Sequence, residues 1–229
     1  VPTYGLVLTA AGSSSRFGTG SKVLAPLAGV PVLVRAARAF VEALGALPTV
    51  VTVRADDRAA VLALVLTEPA LAGATLVTGG ATRQESAALG VAALPLDVEV
   101  VLVHDAARPL VTPALVRAVA EAARRDGAAA PALEVVDSVH ALDATGRLAT
   151  PLDRASLRAV QTPQAARADL LRRAFVAAAT SRREATDEVG LLLAAGIRVT
   201  PVPGDPENRK VTTADDLARM AESLRARSR

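Results

Sequence analysis

The chain has 229 residues, a formal charge of +3, half its residues apolar, no cysteine and only four aromatic side chains: Tyr4, Phe17, Phe40 and Phe175. That length buries a substantial core, necessarily an aliphatic one. Interleaved charges exclude a basic nucleic-acid-binding tail, and so few aromatics exclude a base-stacking platform. Without cysteine there are no disulfides or thiolate metal sites, which fits a reducing, cytoplasmic setting. No uncharged apolar run approaches the roughly 20 residues of a membrane span. No basic segment precedes the first apolar run, so no signal peptide is expected.

Short β-prone runs alternate with longer amphipathic ones along the chain. Residues 4–9 read as a buried strand, followed by a small-residue loop over 10–21. A helix is predicted over 31–44 with Pro31 in its first turn, then a strand over 49–53 and a helix over 57–66. A strand over 74–78 leads through Gly79-Gly80 into a helix over 83–94. A strand over 98–103 follows, then a helix opened by Thr112-Pro113 and running to 125, then a strand-like run over 128–135. This rhythm predicts an α/β fold, a mostly parallel sheet with helices on both faces.

The rhythm breaks between 136 and 160. The turn signal at 143–146, between arms 137–142 and 148–152, predicts a hairpin projecting from the sheet. A two-stranded arm is marginal alone, so it is expected to pack on something, most simply a second copy. Helices over 165–180, 186–195 and 213–225, and a strand over 198–202, complete the chain, with no internal repeat.

Lys22 and Lys210 are the only lysines among 26 basic residues. A chain otherwise drifted to arginine keeps lysine either by accident or where a compact, rotatable ammonium is needed. Lys22 ends the loop that begins Ala10-Ala11-Gly12-Ser13 and carries Arg16. Small residues after a first parallel strand let backbone amides approach phosphates closely, and the strand ends of such a sheet are where ligands bind. The loop is neither a dinucleotide fingerprint nor a Walker A motif. By itself it reads as a connector; two cations flanking it suit a triphosphate. Downstream, Asp105 ends a buried strand with Arg108 three residues on, either at the functional edge or as a turn cap paired with that arginine. His104 reads as a hydrogen-bonded structural group. Thr186 and Thr213 have a helix-capping alternative, with Thr213-x-x-Asp216 resembling a capping box.

The loop Ala10-Ala11-Gly12-x-x-x-Arg16 with Lys22 and the string Val103-His104-Asp105-Ala106-Ala107-Arg108-Pro109 are followed by three further strings. These are Thr162-Pro163-Gln164, Thr186-Asp187-Glu188 and Lys210-Val211-Thr212. In this order, over nearly the whole chain, they resemble the 2-C-methyl-D-erythritol 4-phosphate cytidylyltransferase family, which serves the non-mevalonate isoprenoid pathway. Ribitol-phosphate cytidylyltransferases share most of the pattern.

The resemblance implies one nucleotidyltransferase domain over 1–229 with a three-layer Rossmann-like fold. It implies a β-arm at about 136–157 used for homodimerisation. Arg16 and Lys22 would grip the CTP phosphates, and Mg²⁺ or another divalent cation would bridge them. The nucleotide would lie against Ala10, Ala11, Gly12, Ser13, Gly80, Ala81 and Ser86, with cytosine against Ala10, Ala11, the Gly80-Ala81 turn and Ser86; the family often has an acid at the position of Ala81. Methylerythritol phosphate would lie near Asp105, Arg108, Thr162 and Thr186. Arg154 and Lys210 would position its phosphate, with Arg154 delivered across the dimer interface or, alternatively, solvated beside Asp153. Cytidylyl transfer needs no side-chain nucleophile, because a phosphomonoester carries its own anionic oxygen; positioning and electrostatics carry the catalysis. Other readings are ribitol 5-phosphate as acceptor, a non-catalytic CTP-binding module, and, disfavoured by the interleaved charges, a nucleic-acid binder.

Overall fold

Alternation of side chains along the first strand, β1 (Tyr4–Ala10), decides the layering. Leu6 and Leu8 enter one apolar core and Val7 the other, all three buried. Both faces of the strand are therefore covered, as a near-continuous apolar run requires. The structure is a computed structural model; it describes residues 3–12, 17, 18, 20–182 and 184–227, with side chains through 225. After β1 come a short hairpin, β2 (Pro26–Leu27) and β3 (Val30–Pro31), then α1 (Val32–Leu44), β4 (Thr49–Val53), α2 (Arg58–Thr67), β5 (Thr75–Thr78) and α3 (Arg83–Ala92). Next are β6 (Val100–Asp105), α4 (Pro113–Asp126), β7 (Ala128–Glu134) and the arm β8 (Val139–Leu142) with β9 (Leu148–Leu152). β10 (Arg158–Val160), β11 (Gln164–Arg167), α5 (Ala168–Ser181), α6 (Glu188–Ala194), β12 (Thr200–Pro203) and α7 (Ala214–Arg227) close the chain.

The central sheet runs β10-β7-β11-β6-β1-β4-β5, with β12 also paired to β7. β1 is parallel to β4 and β6, β4 to β5, and β7 to β12, while β10 and β11 run antiparallel to β7. Helices α1, α4 and α7 pack on the Leu6 face around the fully buried Phe40, and α3, α5 and α6 on the Val7 face. This is the expected α/β sandwich. Because β1, β4 and β6 are parallel, their ends at Ala10, Val53 and Asp105 share one sheet edge, where an open α/β sheet binds its ligands.

Two expectations need correction. The helix expected over 165–180 begins at Ala168, because Gln164–Arg167 is a strand inserted antiparallel between β6 and β7. Ala165 and Ala166 favour helix locally, but pairing on both sides and burial on both faces override that preference. The short β10 was likewise not anticipated. The helix expected from Thr186 starts at Glu188, and its cap is Asp187, whose carboxylate accepts from the Gly190 N–H at 2.8 Å. Thr213 does cap α7: its hydroxyl accepts from the Asp216 N–H, and Asp216 accepts from the Thr213 N–H.

The arm forms as expected, as a separate two-stranded sheet. Asp143 closes its turn by accepting from the Thr145 and Arg147 N–H groups, and Gly146 takes the left-handed φ of +81° that favours glycine.

Candidate active site

A cleft of about 480 Å³ opens at the shared edge of β1, β4 and β6. One wall is backbone and small side chains: Ala10, Ala11 and Gly12 after β1, and Gly80 and Ala81 between β5 and α3. Close approach explains the glycines. A Cβ on Gly79 would stand 2.3 Å from the Ala11 Cβ, and one on Gly80 2.5 Å from the Glu85 Cβ. Ser86 braces this turn by accepting from the Gly80 N–H at 3.1 Å and donating to the Thr82 carbonyl at 2.9 Å. The Ala81 N–H is committed to the Glu85 carboxylate at 2.7 Å, within a capping box on Thr82 that starts α3. That carboxylate belongs to the helix rather than to residue 81, so alanine at 81 leaves the turn's own hydrogen bonds intact.

Cations line the cleft beside this wall. Lys22 and Arg54 both reach it. Arg54 is held by the buried Asp57, which accepts from its Nε and Nη2 at 2.9 and 3.0 Å and from the Ser21 hydroxyl at 2.9 Å. Burial opposes ionisation of Asp57, but Arg54 and Ser21 outweigh it and hold the carboxyl below its ordinary range. Asp57 thereby ties the residue before Lys22 to the end of β4. Arg16 and Ser13 lie outside the described residues.

Another part of the cleft wall is ionic. Asp105 ends β6 with its side chain buried; its Oδ1 accepts from the Arg83 Nε at 3.0 Å and the Thr9 hydroxyl at 3.2 Å. Its Oδ2 accepts from the Lys210 Nζ at 2.7 Å. Arg83, in the first turn of α3, also donates bidentately to the buried Glu188 at 2.8 and 3.0 Å. Burial disfavours the Asp105 anion, yet Arg83 and Lys210 prevail and hold its carboxyl well below the usual range. Glu188 goes the other way, raised by burial that Arg83 only partly offsets.

Behind this wall runs a neutral relay. Thr162, in the break between β10 and β11, accepts from the Asp105 N–H at 3.1 Å and lies 3.0 Å from the His104 Nδ1. Because the Arg108 carbonyl, 3.1 Å from the His104 Nε2, can only accept, Nε2 carries the proton and Nδ1 receives the Thr162 hydroxyl. Burial lowers the His104 pKa to about 4, so the ring is neutral near pH 7; it packs on Phe40 with centroids 5.0 Å apart. Arg108 donates to the Asn208 carbonyl at 2.7 Å, Asn208 donates to the Thr162 carbonyl at 2.8 Å, and the Val211 N–H donates to the Ala107 carbonyl at 2.8 Å. The segment carrying Lys210 is thus docked onto the end of β6.

The fold therefore gathers Ala10, Ala11, Gly12, Lys22, Gly80, Ala81, Ser86, Asp105 and Lys210 on one cleft. Thr162 and Arg108 stand behind Asp105 and are not among the lining residues; Arg108 pairs with a carbonyl rather than directly with Asp105. Thr186 is exposed just before α6, also off the lining. Arg154 follows the arm, exposed, and donates to the Val136 carbonyl. Sequence reasoning missed Thr9, Arg54, Arg83 and Glu188. Glu188 sits inside a motif already singled out, as the acid of Thr186-Asp187-Glu188, and Thr9 directly precedes the Ala10-Ala11-Gly12 loop.

A Rossmann-like sheet whose strand ends carry a cleft lined by small residues, lysines and arginines places the chain among α/β proteins with a cationic site at the sheet edge. Comparison with known proteins is more specific. Residues 5–226 match the model of the IspD family, 2-C-methyl-D-erythritol 4-phosphate cytidylyltransferase, and the chain belongs to that family. A cytidylyltransferase of that name from Streptomyces avermitilis is 43% identical, covering 97% of this chain and 92% of its own. Another, from Acidobacterium capsulatum, is 37% identical, covering 97% and 98%. The crystal structure of the Thermus thermophilus 2-C-methyl-D-erythritol 4-phosphate cytidylyltransferase superposes with a TM-score of 0.77 at 35% identity, covering 98% of each chain. Several relatives are longer: the chain spans 57% of a bifunctional IspD/IspF enzyme from Anaeromyxobacter, to which it is 44% identical.

Proposed function

We propose that this chain transfers a cytidylyl group from CTP to 2-C-methyl-D-erythritol 4-phosphate, giving 4-diphosphocytidyl-2-C-methyl-D-erythritol and pyrophosphate. Family membership supports the reaction. The observation that carries the mechanism is that the chain's only two lysines line one cleft together with the small residues Ala10, Ala11, Gly12, Gly80 and Ala81. In this reading cytosine lies in the turn framed by Ala10, Ala11, Gly80 and Ser86, and the triphosphate lies along Gly12 towards Lys22 and Arg16. The acceptor's hydroxyls meet Asp105, and its phosphate meets Lys210. An acceptor oxygen attacks the α-phosphorus as the bond to the β-phosphate oxygen breaks, and pyrophosphate carries that electron pair away. Lys22 stabilises the growing charge, and holding both substrates in line supplies the rest.

Among the described residues no group of three or more His, Asp or Glu side chains could hold a metal ion. Asp105, the acid on the cleft wall, has both oxygens engaged by cations. The described residues do not fit a protein-built Mg²⁺ cage; a divalent cation would come with the nucleotide and would supply charge neutralisation to its phosphates.

The arm leaves Leu142 and Leu148 exposed by 63% and 74%, with Val136 at its foot exposed by 80%. Apolar surface on a two-stranded arm supports a homodimer built through it, with Arg154 reaching the partner's cleft. The chain acts as one domain over 1–229 in the cytoplasm, in keeping with the absence of cysteine and of any described helix long and apolar enough to cross a membrane.

Phosphorus NMR of CTP, methylerythritol phosphate and Mg²⁺ with the protein tests the reaction. Signals of pyrophosphate and a new diphosphate diester are expected, and a spectrum unchanged after hours sinks the reading.

A further inference from the structure

Two carboxylates, Asp105 and Glu188, stand in the wall that carries Lys210. Beside a site for anionic phosphates, unneutralised carboxylates repel what the cleft is to bind. One side chain serves both. Arg83 gives its Nε to Asp105 at 3.0 Å and both terminal nitrogens to Glu188 at 2.8 and 3.0 Å. The other Asp105 oxygen is thereby left to Lys210, at 2.7 Å. Four elements meet in this line of ion pairs: the start of α6, the start of α3, the end of β6 and the segment before α7. Glu188 is 2% exposed and does not line the cleft, so it acts on the site only through Arg83. A guanidinium fork satisfies two carboxylates in fixed planar geometry; an ammonium is a point charge and does not.

We propose that Arg83, clamped by Glu188, is a positioning residue: it fixes Asp105 and through it sets where Lys210 presents its ammonium to the acceptor phosphate. The acceptor side of this statement rests on the functional reading above; the Glu188–Arg83–Asp105–Lys210 linkage does not. The low pKa direction of Asp105 agrees, since Arg83 and Lys210 are its main stabilising charges against burial, with Arg108 adding less.

Two readouts decide it. Steady-state kinetics of Arg83→Gln are expected to show kcat/KM for methylerythritol phosphate down about 100-fold, with the KM for CTP within about 3-fold of wild type. Glu188→Gln shifts the same parameter, and in the Arg83→Gln background adds less than about 2-fold, because the two residues act as one unit. The second readout uses ¹⁵N-lysine-labelled protein, in which Lys22 and Lys210 are the only lysine side-chain signals; Lys22→Arg assigns them. The Lys210 ammonium signal is expected to move or broaden in Arg83→Gln while that of Lys22 stays in place. An unchanged Lys210 signal overturns the proposal. So does an equal rise of both Michaelis constants with a lowered melting temperature, the mark of a merely structural role. If Arg83→Gln fails to fold, the near-isosteric Glu188→Gln carries both readouts. If wild type makes no product, the functional reading falls, and the lysine spectra still decide the linkage.

Discussion

The wall around Ala10, Ala11 and Gly80 is backbone and small side chains from two adjacent turns, whereas the wall around Asp105 is four charged side chains from four elements. The first is shaped by steric exclusion: Gly79 lets the two turns approach to a distance no Cβ tolerates, and Gly80 does the same against Glu85 of α3. It suits a flat base and a string of phosphates, which ask for amides and closeness. The second is shaped by charge balance, with two carboxylates threaded between cations, and suits a polyol bearing one phosphate. Backbone walls fail by clash and charged walls by losing a partner, so variants of the two are expected to fail towards different substrates.

The largest effect is expected on the nucleotide side. Lys22→Arg keeps the charge but replaces a compact ammonium with a wider planar group, and kcat is expected to fall by about 100-fold or more. Full activity would undo the argument that lysine is specifically needed there. Asp105→Asn comes next: it removes the anion shared by Arg83 and Lys210, and kcat/KM for the acceptor is expected to fall about 100-fold while the KM for CTP changes little. A fall seen equally in both substrates would dissolve the distinction between the walls. Gly79→Ala is the mirror case. Its added methyl would meet the Ala11 Cβ at 2.3 Å and the Ser86 Oγ at 2.8 Å, so the KM for CTP is expected to rise about 10-fold with the acceptor's KM unchanged.

A further effect, on stability rather than turnover, comes from behind the ionic wall. His104 is lowered from 6.5 to about 4 in the fold. Between those values the unfolded chain binds more protons than the folded one, so the stabilisation is complete above 6.5 and drains away as pH falls towards 4. Its full size is about 3 kcal/mol. Urea unfolding from pH 7 to 4 is expected to show this loss in wild type and a flatter profile in His104→Gln; parallel profiles would refute it.

The two walls also differ in how far the sequence reveals them. The small-residue wall comes from contiguous strings, Ala10-Ala11-Gly12 and Gly79-Gly80, placed by strands that their own periodicity announces. In the ionic wall Asp105 and Lys210 were legible, because each sits in a motif. Arg83 was not, and Glu188 was visible only as the end of the Thr186-Asp187-Glu188 string: the two are 105 residues apart, and only tertiary packing joins them. β11 escaped for a related reason. Gln164-Ala165-Ala166-Arg167 carries helix-forming residues, and its strand state is imposed by neighbours on both sides. Arg54 was hidden in the same way, an arginine among many until Asp57 turns it to the cleft.

The proposed reading makes the ionic wall, with Asp105 and Lys210, the site of the methylerythritol phosphate acceptor. Its most direct test is pyrophosphate release with CTP and Mg²⁺, measured in parallel with methylerythritol phosphate and with ribitol 5-phosphate across a range of concentrations. A kcat/KM for methylerythritol phosphate at least about 100-fold above that for ribitol 5-phosphate is predicted. Equal values, or a preference for ribitol 5-phosphate, would contradict it.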